Sequence, residues 1–135
     1  AVMQETSRHN TALMRAALAE AGSVRERVLA LIRCELQSIM GGSGEAMAVL
    51  VYEWRSLSAD GQAQVLALRD IYEELWLQVL GEAKEAGFIR GDVFITRRFL
   101  TGALSWTTTW FRAGGGMSLD QLADEALILV LEEKQ

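Results

Sequence analysis

Apolar residues recur at helical spacing along the whole of this sequence, and no proline interrupts them. Half of its 135 residues are hydrophobic, which is enough for one domain with a core of its own. Capping signals and glycine breaks divide the pattern into six segments of helical length: 2–20, 24–40, 44–57, 60–86, 92–112 and 119–133. The sequence therefore predicts an all-α fold, an antiparallel bundle of about six helices.

Composition excludes several kinds of site. The formal net charge of −5 argues against DNA binding by this stretch of chain itself, because nucleic-acid-binding domains are usually basic. A lone histidine, His9, and a lone cysteine, Cys34, cannot form a closed zinc site or an internal disulfide. The sequence contains no nucleophile motif and no phosphate-binding glycine loop. We therefore predict no metal, no cofactor and no enzymatic activity.

Targeting signals are not evident either. Residues 1–20 lack the continuous apolar core of a signal peptide. The apolar run 93–111 comes nearest to a membrane span, but Arg97 and Arg98 interrupt it. The predicted location is the cytoplasm, without membrane contact.

The segment Arg97–Arg112 differs from an ordinary surface helix because it contains no acidic residue. One half of its helical wheel, extended back to Ile95, is apolar and the other half is small and hydroxylated, with the three arginines at the margins. The apolar half contains Ile95, Phe99, Leu100, Ala103, Leu104, Trp106, Trp110 and Phe111, and the other contains Thr101, Gly102, Ser105, Thr108 and Thr109. This pattern indicates a helix with contacts on both sides, one side being its own core and the other a ligand or a second copy. A central core helix is the simpler alternative.

Four charged residues fall within apolar helical faces: Glu35, Arg55, Arg69 and Glu73. Two acids match two arginines, so one interpretation is a pair of buried salt bridges that fix helix register. The other is the polar end of an apolar cavity, in which an arginine without a full set of carboxylates holds an anionic ligand. The predicted walls of that cavity are Met47, Val51, Trp54, Tyr72, Trp76, Phe99, Trp106 and Trp110.

Three runs together resemble the C-terminal regulatory domain of TetR-family transcriptional repressors. They are VYEWRSLS at 51–58, LRDIYE at 68–73, and GALSW at 102–106 followed by WFR at 110–112 and GGMS at 115–118. The resemblance covers about residues 20–133 and is nearest to the branch that governs fatty-acid and steroid catabolism. It implies a helical domain that binds a small effector between its helices and dimerises through its last two long helices.

On this resemblance, residues 1–22 are a connector helix to an N-terminal helix-turn-helix domain absent from the chain, and residues 23–135 bind ligand and dimerise. The last two helices would form a four-helix bundle with those of a second copy. Its predicted interface is Gly102, Ser105, Thr109, Leu119, Leu122, Ala126, Leu129 and Val130. The implied effector is hydrophobic or anionic, an acyl-CoA thioester being the leading case, and DNA is contacted only through the missing domain.

Two other classes of function remain open at this point. A free-standing helical lipid or acyl carrier, or an adaptor, would use the same apolar cavity. A small helical mutase would need Glu35 or Glu73 free of arginine.

Overall fold

The computed structural model describes residues 2–40, 54–112 and 114–132, with side chains for His9 and from residue 11 onward. These ranges contain five α-helices, which are α1 (Val2–Glu20), α2 (Val24–Met40), α3 (Ala59–Glu85), α4 (Val93–Trp106) and α5 (Leu119–Val130). Short 3₁₀ turns lie at Trp54–Ser56 and Thr107–Thr109, and the described ranges contain no strand. The all-α prediction is confirmed. Most of the predicted helix at 44–57 lies outside the described residues.

Side-chain caps set the helix starts where the sequence predicts them. At the N-termini of four helices, the side-chain oxygen of the capping residue accepts a hydrogen bond from the backbone N–H three positions later. Ser118 and Gln121 form a complete capping box, each side chain bonding the other's backbone N–H. At Ser23 the box is shifted, because the carboxylate of Glu26 accepts from the N–H of Gly22 instead. The four capping residues are Ser23, Ser58, Asp92 and Ser118.

The end of α3 is a Schellman motif centred on Gly87. The φ angle of Gly87 is +89°, in the left-handed region that favours glycine. The N–H of Phe88 donates to the carbonyl of Ala83 at 2.9 Å, and that of Gly87 donates to Lys84 at 3.0 Å. This turn reverses the chain sharply between α3 and α4.

Helix α4 ends earlier than the sequence predicts, at Trp106 rather than near residue 112. Its continuation, Thr107–Thr109, is a 3₁₀ turn in which each hydroxyl donates to the carbonyl three residues before it. Threonine hydroxyls compete with the backbone in this way, and β-branched side chains disfavour a continuing α-helix. The three consecutive threonines therefore account for the shorter helix.

Helix α2 is the centre of the bundle, since it packs against each of the other four helices. Its buried side chains recur at helical spacing: Val28, Leu31, Ile32, Glu35 and Leu36. The same core contains Met14 of α1 and four residues of α3: Trp76, Val79, Leu80 and Ala83. An acidic residue thus occupies the middle of the most central helix, and the fold has to provide it with partners.

Candidate functional site

A buried ionic cluster joins α2, α3 and α4. Arg97 of α4 is 4% exposed, although the sequence places it at the margin of the polar face. Its Nε and Nη2 atoms each donate to Glu73 of α3 at 2.8 Å, and its Nη1 and Nη2 atoms donate to Glu35 of α2 at 3.1 and 2.8 Å. Two forked contacts of this kind are the geometry in which a guanidinium compensates for its lost hydration.

Tyr72 completes the cluster from α3. Its hydroxyl donates to Glu35 Oε1 at 2.6 Å. Burial raises the pKa of Tyr72, and the neighbouring Glu35 carboxylate raises it further. The phenol therefore stays protonated and keeps donating to the carboxylate across the physiological pH range.

The guanidinium of Arg97 also lies over the ring of Trp76, with Cζ 4.2 Å from the centroid. Burial alone would lower the pKa of Arg97, but its hydrogen bonds to Glu73 and Glu35 outweigh burial and raise it. The cluster thus contains one permanent cation and two carboxylate groups. With both carboxylates ionised, its charge is negative by one unit.

The predicted pairing of these acids with Arg55 and Arg69 is wrong. Both arginines are exposed, and Arg97 binds both acids. The sequence did contain a signal for this, because Arg97 shares the spacing of the residues that α4 buries. Leu100 and Leu104 follow it at three and seven positions, and all three are buried. The large aromatic residues Phe99, Trp106 and Trp110, which the helical wheel assigns to the apolar face, are exposed instead.

A small cavity of about 90 Å³ borders the cluster on the side of α1. Tyr72 is shared by the two features, since it lines the cavity and contacts Glu35. The other walls are His9, Leu13, Met14, Cys34, Gln37 and Ser38. Burial raises the pKa of the Cys34 thiol, so this cysteine is not an activated nucleophile.

A second concavity, a groove of about 530 Å³, opens on the outer surface between α4 and α5. Its walls are mainly apolar. One wall comes from α4 and the 3₁₀ turn that follows it, together called the α4 segment (93–110), and includes Ile95, Phe99, Ala103 and Trp110. The other comes from α5 and includes Leu122, Ala126, Leu129 and Val130. Phe99 is 77% exposed and Leu129 is 87% exposed. Monomeric soluble proteins rarely expose large contiguous apolar patches, so this surface is a candidate interaction site.

The predicted ligand residues do not converge on one place. Tyr72 lines the inner cavity, whereas Trp76 is fully buried in the core and does not line it. Phe99 and Trp110 line the outer groove, and Trp106 is 65% exposed. Trp54 is partly buried in its 3₁₀ turn, Arg55 and Arg69 are exposed, and Met47 and Val51 lie outside the described residues. Ligand contact by these residues stays a prediction.

Four of the eight predicted interface residues are exposed, and Leu122 is buried in the core. Four of the eight line the groove: Leu122, Ala126, Leu129 and Val130. Gly102, Ser105 and Thr109 are exposed on the α4 segment, and Leu119 is partly buried at the start of α5. Both the apolar and the hydroxylated sides of α4 are thus accessible beside α5.

Two further kinds of feature are absent from the described ranges. No group of three or more histidine, cysteine or acidic residues there could hold a metal ion. No helix there is both long enough and apolar enough to cross a membrane.

Comparison with known proteins identifies the class. Residues 21–133 match the family model of the tetracyclin repressor-like C-terminal domain. The chain belongs to this family, whose members are ligand-binding domains of TetR-type transcriptional regulators and not enzymes.

One curated relative and one solved structure resemble most of the chain. The HTH-type transcriptional repressor KstR2 of Rhodococcus jostii (strain RHA1) is 29% identical over 111 residues, which are 80% of this chain and 54% of KstR2. The chain thus spans about half the length of this curated relative. Superantigen PfiT is 79% identical in sequence to this chain, and its crystal structure matches with a TM-score of 0.91. The match covers 98% of this chain and 71% of PfiT.

A more distant structure shares the fold. AibR, solved in complex with isovaleryl coenzyme A and operator DNA, is 18% identical with a TM-score of 0.69. The match covers 95% of this chain and 72% of AibR.

Proposed function

We propose that this chain is the effector-sensing and dimerisation domain of a TetR-type repressor that works in the cytoplasm. In this proposal, residues 1–22 connect it to an N-terminal helix-turn-helix domain, and residues 23–135 bind the effector and the second copy. The family match over 21–133 supports the assignment. So does the partial coverage of KstR2, which leaves room in such a relative for a DNA-binding domain.

The observation that carries the proposal is the apolar outer surface of α4 and α5. Phe99, Ile128 and Leu129 are between 64% and 87% exposed, and they lie on the two helices through which the family resemblance implies dimerisation. Covering them with the same helices of a second copy would bury this surface at a two-fold interface. The groove between α4 and α5 would then be filled by side chains of the second copy.

Sedimentation equilibrium tests the dimer directly. The chain has a mass of 14.9 kDa, so a dimer is expected near twice that value at micromolar concentration. A monomer throughout that range would contradict the proposed interface.

The proposed effector is hydrophobic, with an acyl-CoA thioester as the leading class. The AibR complex with isovaleryl coenzyme A supports it, because AibR, which shares this fold over 72% of its chain, was solved with such a ligand. The inner cavity would receive the acyl end. In this proposal Arg69, which is exposed and one helical turn before Tyr72 on α3, contacts an anionic group of the effector outside the cavity.

The proposed mechanism is a shift of population between two arrangements of the helices. An effector that binds one arrangement better moves α1, and with it the DNA-binding domains, out of register with the operator. The cluster of Tyr72, Glu35 and Arg97 connects the cavity wall to α4. A change at the cavity would therefore reach the dimer helices through hydrogen bonds.

Calorimetric titration with isovaleryl-CoA, and with longer acyl-CoA thioesters, tests the effector class. Arg69→Met should weaken binding several-fold, whereas Arg98→Met, another exposed arginine, should not. Equal binding by both variants would remove Arg69 from the site. Release of operator DNA is then measured on a longer protein that includes the helix-turn-helix domain.

A second candidate function rests on the match to superantigen PfiT at 79% identity. Identity this high over 98% of the chain makes a shared activity a specific alternative. Proliferation of mixed human T cells exposed to the purified chain tests it, with heat-denatured chain as the control. This activity would not depend on an effector or on DNA.

A further inference from the structure

We propose that two copies associate crosswise, with α4 of each chain packed on α5 of the other and Arg98 of one copy paired with Glu125 of the other. This inference rests on the proposed function, because it takes the outer surface of α4 and α5 to be the dimer interface. It names which helix meets which across that interface and the charges that select the arrangement.

The first step concerns the charge on α4. The α4 segment contains two cations, Arg97 and Arg98, and no acidic residue. Arg97 is buried, and two carboxylates of its own chain compensate its charge. Arg98 is exposed, and no described acid lies within ion-pair distance of it. The outer side of α4 therefore presents one unpaired positive charge.

The second step concerns the charge on α5, which contains three acidic residues and no cation. Two of them face α2, where Asp120 and Asp124 lie 3.6 and 3.8 Å from Arg33. The third, Glu125, is exposed at the groove, with no described cation within ion-pair distance. Because Arg98 does not line the groove, the two unpaired charges do not meet within one chain.

The groove itself is negatively charged. Its described lining includes Asp92 and Glu125 and contains no arginine or lysine. A surface that fills the groove is favoured if it brings a cation, because opposite charges across an interface attract and like charges disfavour association. Crosswise packing brings Arg98 to Glu125. Packing each helix on its own counterpart would instead set cation against cation and acid against acid.

Side-chain size favours the same arrangement. Beyond Arg98 the outer side of α4 is small, since Gly102 and Ser105 are exposed and nothing lies within 4 Å of the place that a Cβ would take at Gly102. On α5, one helical turn after Glu125, Leu129 is 87% exposed. Large side chains pack closely on a helix where the facing residues are small. Charge and size thus both favour α4 against α5 of the second copy.

Charge reversal tests the crosswise pairing. Arg98→Glu and Glu125→Arg each turn two attractive contacts per dimer into repulsive ones, so each variant alone should associate about tenfold more weakly than the unaltered chain. An equimolar mixture of the two variants restores opposite charges at both contacts and should associate at least as tightly as the unaltered chain. Sedimentation velocity over a concentration series measures all of these affinities.

Matched reversals away from α4 and α5 serve as controls. Arg15→Glu on α1 and Glu74→Arg on α3 change exposed residues and should leave association unchanged. The doubly reversed chain, with Arg98→Glu and Glu125→Arg together, regains opposite charges across the interface and should dimerise as the unaltered chain does. If a single reversal loses its helical circular dichroism, the neutral Arg98→Gln or Glu125→Gln takes its place, with about threefold weaker association expected.

The outcomes separate this inference from the proposed function. If the unaltered chain stays monomeric, the dimer and the crosswise pairing both fall. If it dimerises but the single reversals do not weaken association, or the mixture does not recover it, the crosswise pairing is wrong and the dimer stands.

Discussion

Glu35 and Arg97 lie 62 positions apart in the sequence and form two hydrogen bonds, of 3.1 and 2.8 Å, between the central helix and the helix that borders the groove. The same guanidinium binds Glu73 of α3. One side chain therefore links three helices.

Replacing Arg97 with methionine should destabilise the fold strongly. The variant keeps most of the side-chain volume but leaves two carboxylates without their cation, and breaking a buried pair in this way costs about 3–5 kcal/mol. Urea unfolding followed by circular dichroism measures the loss. Arg98→Met, on the exposed side of the same helix, is expected to change stability by less than about 0.5 kcal/mol. Similar losses in both variants would contradict the structural role of Arg97.

The stability of the chain should fall above about pH 10 partly because of Tyr72. Its pKa is raised in the folded state, so the unfolded state releases the phenolic proton first, near the ordinary tyrosine value of ~10. The contribution is complete below that pH and is lost at about 1.4 kcal/mol per pH unit above it. Unfolding free energies of the unaltered chain and of Tyr72→Phe at pH 8 to 11 measure this, and their difference should shrink above pH 10. A constant difference would show that Tyr72 titrates alike in both states.

A charge at Leu129 should dissociate the proposed dimer. Leu129 is 87% exposed in the single chain, so Leu129→Glu costs little folding stability but would bury a charge at the interface. A loss of about 2 kcal/mol corresponds to roughly thirtyfold weaker association. Sedimentation velocity across a concentration series gives the dissociation constant. Leu66→Glu, at a leucine of α3 that is 46% exposed, is the control and should leave association unchanged.

Alanine substitutions at two glycines, one within α3 and one just after it, should change the folding stability in opposite directions. Gly87 has a φ angle of +89°, so Gly87→Ala places a side chain in the left-handed region and should cost about 1 kcal/mol. Gly81 lies within α3 with nothing near its missing Cβ, so Gly81→Ala should stabilise the fold by up to about 1 kcal/mol. Thermal unfolding distinguishes the two. Destabilisation by both would mean that α3 does not continue through Gly81.

Local signals made most of the fold predictable. Ser58, Asp92 and Ser118 cap helices through contacts within one turn, and sequence spacing reports such contacts directly. The site depended on contacts between helices, which spacing does not report. Glu35 was expected to need a partner, but its partner lies 62 residues away and could not be chosen among several arginines.

The aromatic residues of the α4 segment were harder to place for a related reason. Periodicity separates faces of a helix, but it does not tell which apolar face meets the chain's own core. Phe99 and Leu100 are adjacent and both apolar, yet Leu100 is 5% exposed and Phe99 is 77% exposed. A helix that is apolar over half of its circumference leaves that choice to the neighbouring helices.

The unequal burial of the tryptophans gives the molecule two optical reporters. Trp76 is fully buried in the core, beneath the guanidinium of Arg97, whereas Trp106 and Trp110 are 65% and 55% exposed near the groove. A soluble quencher such as acrylamide would reach the outer pair and not the inner one. Fluorescence quenching could therefore follow association of two copies through the outer pair, without any added dye.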